Sequence, residues 1–267
     1  MKWATLAGIM QSVVGMKNRG CHLPRWVLPV VVPVAVACSV NSDQTTYSAT
    51  PGQPSVNVKT IVLTPVNVPE GYEEYTAAME EFDSLIAVSL EQAGYALIPA
   101  HEYAALWEEI LERTVGLFDS TGERNEAVFE SARQELFGQL GGLYHPDALL
   151  YPEIWIVDAP FTGGTAQWDG VSQELVGVGT RIVDALGALF SATESNLPTG
   201  DVEAVSLVVF IESIEGEEIY ANSGGIQVLE KVGTHPDDRE PVPKDEWFTN
   251  HSRNRRAVSI ALGPMLD

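Results

Sequence analysis

The side chains able to do chemistry fall in a few places. His235, Asp237, Asp238 and Glu240 crowd one Pro-rich polar stretch, GTHPDDREPVPKD over 233–245. A mixed His and carboxylate set suits zinc or manganese, and a metal-bound water there would make a hydrolase. Zinc needs ligands held at fixed geometry, whereas this stretch carries Pro and Gly and reads more simply as a solvated acidic loop. Arg253, Arg255 and Arg256 form a basic cluster in an otherwise acidic chain. Such a cluster either pairs internally with carboxylates or contacts an acidic partner or glycan. Tyr151, Trp155, Phe161 and Trp168 share one stretch, and Asp169-Gly170 follows Trp168 directly. Exposed, these aromatics would form a partner surface. In an alternating strand only half of them point outward.

Other reactive patterns have simpler readings. The tripeptide His-Pro-Asp occurs at 145–147 and again at 235–237. Turn chemistry accounts for both copies, because Pro fixes φ and Asp bonds nearby backbone. There is no G-x-S-x-G elbow, and Ser206 lies inside an apolar run. His101, His145, His235 and His251 are scattered. Glu108-Glu109 and Glu217-Glu218 are adjacent, so each pair points apart. Thr162-Gly163-Gly164-Thr165 lacks the Lys of a phosphate loop. No catalytic residue, metal ligand or cofactor is therefore assigned.

The first 37 residues hold Lys2, Lys17, Arg19 and Arg25 and no acid. A basic segment, an apolar stretch from Trp26 to Ala37 and small residues before a Cys make the layout of a secretory signal. The apolar stretch is shorter than the roughly 20 residues needed to span a bilayer, and Pro29 and Pro33 weaken it as a permanent helix. Ala35-Val36-Ala37-Cys38 resembles a lipobox, with Ala35 where Leu is usual. The resemblance implies cleavage before Cys38, a covalent lipid on its thiol, and anchoring by more than one acyl chain. Ser39 after the Cys resembles an outer-membrane address, so the expected location is the periplasmic face of the outer membrane. Met16, just before Lys17 and Arg19, would give a more typical signal and is the expected start.

Cys21 lies in the leader, so the mature chain keeps only Cys38 and has no internal disulfide. The whole chain carries a net charge of -22. Losing the leader's four positive charges leaves 11 Lys and Arg against 37 Asp and Glu, a net -26. A surface this acidic repels nucleic acid and anionic head groups, and favours basic partners, cations or solubility.

The elements that must position these residues follow from periodicity. Residues 1–37 read as signal, 38–57 as lipidated Cys and a Ser/Thr/Pro-rich tether, and 58–267 as one domain. Val58–Val66 is a buried strand. Met79, Phe82, Ile86 and Leu90 give a helix over 73–93, stopped by Gly94. A short strand over 95–98, helices over 101–114 and 123–140, and a strand over 147–157 come next. Asp169-Gly170 joins a hairpin of 165–168 and 171–176. Residues 179–200 hold a short helix or loop. Val202–Ile214 is a strand turning into 218–221, Gly224-Gly225 is a bulge or loop, and a helix over 250–262 closes the chain. The expected class is mixed α/β with an order of β-α-β-α-α-β, then hairpins and a C-terminal helix, with helices mainly on one face of a mixed sheet.

This order resembles a group of periplasmic lipoproteins. The group includes the curli-secretion channel lipoprotein, the penicillin-binding-protein activator lipoproteins and the amino-terminal domain of the Tol translocation protein. The likeness rests on IVLTPV, LEQAGYALIP, HPDALLYPEI, AVSLVVFIESIEGEEIYANSGG and NRRAVSIAL, across most of 58–262. It implies a lipid-anchored accessory or assembly protein that binds envelope proteins without catalysis. No pair of long alternating hairpins suited to a membrane pore is present. The expected partner surface is the 159–178 hairpin with Phe161, Trp168 and Asp169, together with Arg253, Arg255 and Arg256. Two alternatives stay open: a metal-dependent envelope hydrolase using the His235 loop, and a structural lipoprotein of an envelope homo-oligomer.

Overall fold

The computed structural model describes residues 58–69, 71–162, 164–175, 199–232 and 239–266. The leader, Cys38, the tether, the segment over 179–198 and three of the four loop residues (His235, Asp237, Asp238) lie outside the described residues.

Strand β1 (Thr60–Leu63) lies between two parallel neighbours, β2 (Ala96–Ile98) and β3 (Ala148–Thr162). Parallel pairing needs crossovers. Helix α1 (Thr76–Gln92) supplies the first, and α2 (Ala100–Arg113) with α3 (Glu126–Tyr144) the second. β3 then pairs antiparallel with β6 (Thr199–Ser213) along its full 15 residues, and β6 with β7 (Glu218–Val228). The hairpin of β4 (Thr165–Trp168) and β5 (Val171–Glu174) continues from the far end of β3, on the β1 side. A separate small hairpin joins β8 (Glu230–Val232) to β9 (Arg239–Pro241), and α4 (His251–Leu266) closes the chain. The fold is the expected mixed α/β class, with four helices on a seven-stranded mixed sheet among the described residues.

Helices cover both faces rather than mainly one. Ile61 and Leu63 of β1 face α1 and α4, with Phe82, Ile86, Leu90, Ala257 and Ala261. Val62 faces α2 and α3, with Trp107, Ile110, Leu136 and Leu140. The cause is visible in β3, where Ala148, Leu149 and Leu150 are each fully buried. A strand apolar at consecutive positions has two faces to cover, and one layer of helices covers only one.

Local chemistry sets the ends. Asn125 Oδ1 accepts from the Val128 N–H at the start of α3. The helix stops at His145, which takes φ 49°. Asp147 Oδ2 then accepts from Lys59 and Thr60 N–H at 2.8 and 2.9 Å. The first His-Pro-Asp is thus a helix stop and a clamp on β1. In β3, Ile154 N–H donates to Asn67 O, so the even-numbered backbone groups face away from β6. Pro152 and Pro160 are both even, so neither removes a hydrogen bond from the long β3–β6 ladder. This is how a strand with two prolines runs through Thr162, past the end expected at 157.

Candidate functional site: a basic groove beside the hairpin

The far end of the sheet is built differently. Asp169 and Gly170 take φ 37° and 73°, the left-handed pair that a two-residue hairpin requires. The turn is tied down in two places. Gly225 N–H donates to Asp169 O at 3.0 Å, and the Asp169 carboxylate accepts a short hydrogen bond from Ser206 Oγ. Ser206 is fully buried, in keeping with its expected place inside a strand. Its partner is an acid rather than a histidine, and the hydroxyl is buried away from solvent. His251, for its part, contacts Glu81 at 2.8 Å.

Two glycines let the hairpin and α4 approach β7. A Cβ on Gly225 would lie 2.2 Å from Val171 Cγ2 and 2.8 Å from Trp168 Nε1. A Cβ on Gly224 would lie 2.1 Å from Ala257 O. The two glycines point to opposite faces. One admits the indole, the other the helix backbone, and a register shift between Val205 and Ser206 marks the spot in the ladder. The residues expected as a bulge or loop are thus a bulge inside β7 that seats two elements.

This seating corrects the expected partner surface. Trp168 is 8% exposed and donates from Nε1 to Val205 O, so it is core and not a protruding anchor. Phe161 is buried in the same cluster, with Ala159, Ala166, Val202 and Val228. The rest of the aromatic stretch is also occupied: Tyr151 is buried, and half-buried Trp155 donates to Glu153. Trp168 still contributes its edge to a wall.

That wall belongs to a cavity of about 310 Å³. It includes Trp168, Ser172, Gln173, Gly225, Arg253 and Arg256, with Glu174 contributing a carboxylate. Asn250 Oδ1 accepts from Ser252 and Arg253 N–H, fixing the first turn of α4. Asn254, Ala257, Val258, Ala261 and Leu262 form the buried stripe of that helix. Arg253 and Arg256, three apart, share one flank of the stripe, and Ile260 extends that flank to Gly170. Arg255 is exposed and does not line the cavity. Among the described residues none of the three guanidinium groups makes an ion pair. The internal pairing expected of an ordinary surface cluster is not found among the described residues. Other arginines do pair: Arg113 with Glu135, Arg133 with Glu212 and Arg239 with Glu230.

No family model and no curated protein matches the chain.

A second cavity, of about 390 Å³, borders β3 where β1 has ended, beside Asn67, Glu153 and Trp155. Burial pushes the Glu153 carboxyl above its usual range, partly offset by hydrogen bonds from Trp155 and Asn67. Among the described residues, no three His, Cys, Asp or Glu side chains converge on a metal-sized site. Glu240, the one described member of the expected metal loop, is exposed on β9. Sequence reasoning found the arginines but missed Ser172, Gln173 and Gly225. The signal for Gly225 was present in its pairing with Gly224 inside an otherwise β-forming run.

Proposed function

We propose that the protein is a lipid-anchored accessory factor of the bacterial envelope that binds partners through the basic groove. Export, cleavage before Cys38 and lipid attachment there follow from the basic leader and the Ala-Val-Ala-Cys sequence. The periplasmic face of the outer membrane follows from Ser39. The resemblance to envelope lipoproteins that assemble or activate machinery points the same way. The observation that carries the reading is the set of three exposed arginines that make no ion pair among the described residues, on a chain with 37 acidic residues. Carboxylates abound, yet none among the described residues pairs with these arginines, and two of the three sit in a cavity wall that they share with Glu174. Guanidinium groups held this way favour an outside anion. Partners are envelope proteins, nucleic acid being repelled by the overall charge.

The test is site-specific photocrosslinking of the native lipidated protein in membranes. A crosslinking side chain at Arg255 beside the groove should capture one envelope protein. The same group at Val115, 91% exposed on the α2–α3 connection, should not. Cys38→Ala should lose both the membrane association and the crosslink. Identical products from both positions, or a Cys38→Ala variant that fractionates with membranes like the parent, would remove this reading.

A further inference from the structure

We infer that the cavity beside β3 binds an alkylammonium group, with its charge against the Glu153 carboxylate, its N–H donors on Asn67 Oδ1 and Ile154 O, and its methylenes against Val68, Pro69 and Ile156. The site is separate from the basic groove and does not depend on the binding role proposed above.

Its place follows from the topology. β1 lies between β2 and β3, and the chain leaves β1 over α1 toward β2, away from β3. That leaves a crevice at the carboxyl end of β1 on its β3 side, the kind of place where open α/β sheets bind ligands. The crevice also has a local cause. Beyond β1 the chain follows β3 for a few residues: Asn67 N–H donates to Pro152 O, and Ile154 N–H to Asn67 O. The next donor in this parallel ladder, to Ile154 O, would be the amide of residue 69, and Pro69 has none. The pairing ends at the Asn67–Glu153 bridge while β3 runs on. The cavity of about 390 Å³ sits there, lined by 67–69 and 153–156.

The lining selects a cation. It holds no Lys, Arg or His, and its one charged residue is Glu153. Asn67 and Glu153 are bridge partners in a parallel pair, so their side chains rise on the same face. The Glu153 carboxylate accepts from Trp155 Nε1 at 2.7 Å and from the Asn67 amide. Among the described residues no cation pairs with it. Burial holds its carboxyl above the ordinary range, and a cation beside it would favour the charged form. Asn67 is nine-tenths buried, and its Oδ1 has no donor. A shielded acceptor without a partner is destabilising, and a ligand N–H seated against it removes that cost. Ile154 O is the third acceptor. One charged and two neutral acceptors match the three N–H groups of a primary ammonium. A bare metal ion fits less well, because the space far exceeds an ion and Val68, Pro69 and Ile156 present apolar walls. Those walls suit an aliphatic stem. Such a group comes free, as in a diamine, or on the lysine side chain of another protein.

The probes are n-pentylamine and acetyl-lysine-amide, each titrated into the full-length lipidated protein in neutral detergent. Pentanol and pentyltrimethylammonium serve as comparisons. Two-dimensional NMR reads the Asn67 side-chain amide and the Ile156 main-chain amide. Pentylamine should shift both signals. It should bind at least tenfold more tightly than pentanol, which lacks the charge. It should bind at least fivefold more tightly than pentyltrimethylammonium, which keeps the charge and has no N–H. Glu153→Gln keeps the shape and an acceptor for Trp155, and should weaken pentylamine tenfold or more. Pro69→Ala supplies the missing donor to Ile154 O and should weaken it at least fivefold. Glu91→Gln, which removes an exposed acid from α1, should leave affinity within twofold.

Pentanol binding as tightly as pentylamine, or full binding by Glu153→Gln, overturns the inference. So does the absence of any shift at Asn67 and Ile156 with both amines. Equal binding of pentyltrimethylammonium, with Pro69→Ala silent, overturns the hydrogen-bonded seat. Acetyl-lysine-amide matching pentylamine supports the site and makes a protein lysine its guest, whereas binding of pentylamine alone supports it with a free amine. The Arg255 crosslink reads only the basic groove, so its failure leaves this site standing.

Discussion

The two ends of the sheet solve the same problem in different ways. At the near end, β1, β2 and the first half of β3 are covered by helices on both faces, and fully buried side chains continue from Phe82 through Leu136 to Leu149. Polar groups there are used internally, as in the Asp147 clamp on β1 and the Asn125 cap on α3. At the far end the cover is a four-residue-by-four-residue hairpin, tied to β7 and β6 at a handful of points. It leaves a cavity and, among the described residues, arginines without an ion-pair partner. Packing density and binding capacity trade against each other, because a surface whose polar groups are already paired has little to offer a ligand. Regions with fewer buried contacts also open locally at lower cost than the global fold. The near end holds the structure, and the far end is the part free to recognise something.

The largest contrast comes from damaging each end in turn. Leu149→Ala empties a fully buried site between two helix layers and should cost about 3–4 kcal/mol. The loss should appear as a lower urea midpoint for the whole chain. Gly225→Ala forces a Cβ against Val171 and Trp168. Overpacking of this kind costs about 1–3 kcal/mol, and it should show mainly as hairpin release. Amide exchange should accelerate at Trp168, Val171 and Leu175, while the amides of β1 and α1 keep their protection. Exchange that rises uniformly across the chain in the Gly225 variant would mean that the two ends form one cooperative unit.

The near end carries a liability of its own. Asp83 on α1 accepts from Val66 N–H at 3.1 Å, and burial pushes its carboxyl up to about 6 from an ordinary 3.8. Between about pH 4 and pH 6 the folded chain therefore holds a proton that the unfolded chain has released. Stability from this group is fully present below that window and falls as pH rises through it. The difference corresponds to about 2–3 kcal/mol at neutral pH. Asp83→Asn keeps an acceptor for Val66 and removes the titration. The variant should be the more stable form at pH 7 by about 2 kcal/mol and indistinguishable from the parent near pH 4. Parallel stability–pH curves for the two proteins would show that Asp83 is solvated.

The sequence exposed the near end more fully than the far end, for a physical reason. Met79, Phe82, Ile86 and Leu90 repeat at helical spacing, and all four are the buried face of α1. The consecutive apolar run at Ala148–Leu150 marks a strand covered on both faces, although helices mainly on one face were expected. These are local patterns that report on burial within their own element. The Asp169-Gly170 turn was legible for the same reason. What Trp168 does was not, because its burial depends on the missing side chain of Gly225, which reaches it only through the fold. Pairing of the arginines was equally hidden. In a chain with 37 acidic residues a nearby carboxylate is the default expectation, and only the placement of α4 shows that none among the described residues pairs with them. The extension of β3 through Thr162 was masked by Asp158 and Pro160, whose local preference is overridden by pairing with β6.

The smallest effect tests how the hairpin is held. Asp169 does two jobs: it adopts a left-handed φ of 37° and accepts from buried Ser206. Asn shares the tolerance for that conformation and keeps a side-chain acceptor, so Asp169→Asn should cost a few tenths of a kcal/mol. Asp169→Ala removes the acceptor, leaves the Ser206 hydroxyl buried without its partner, and places a less tolerant residue at positive φ. It should cost about 1–2 kcal/mol. The loss should be confined to the hairpin, with Leu175 exchanging faster and the urea midpoint of the chain little changed. If Asn and Ala are equally harmful, the negative charge itself holds the turn. If both are harmless, the Gly225 tie and the packing of Trp168 suffice, and the far end is anchored by shape rather than by this polar contact.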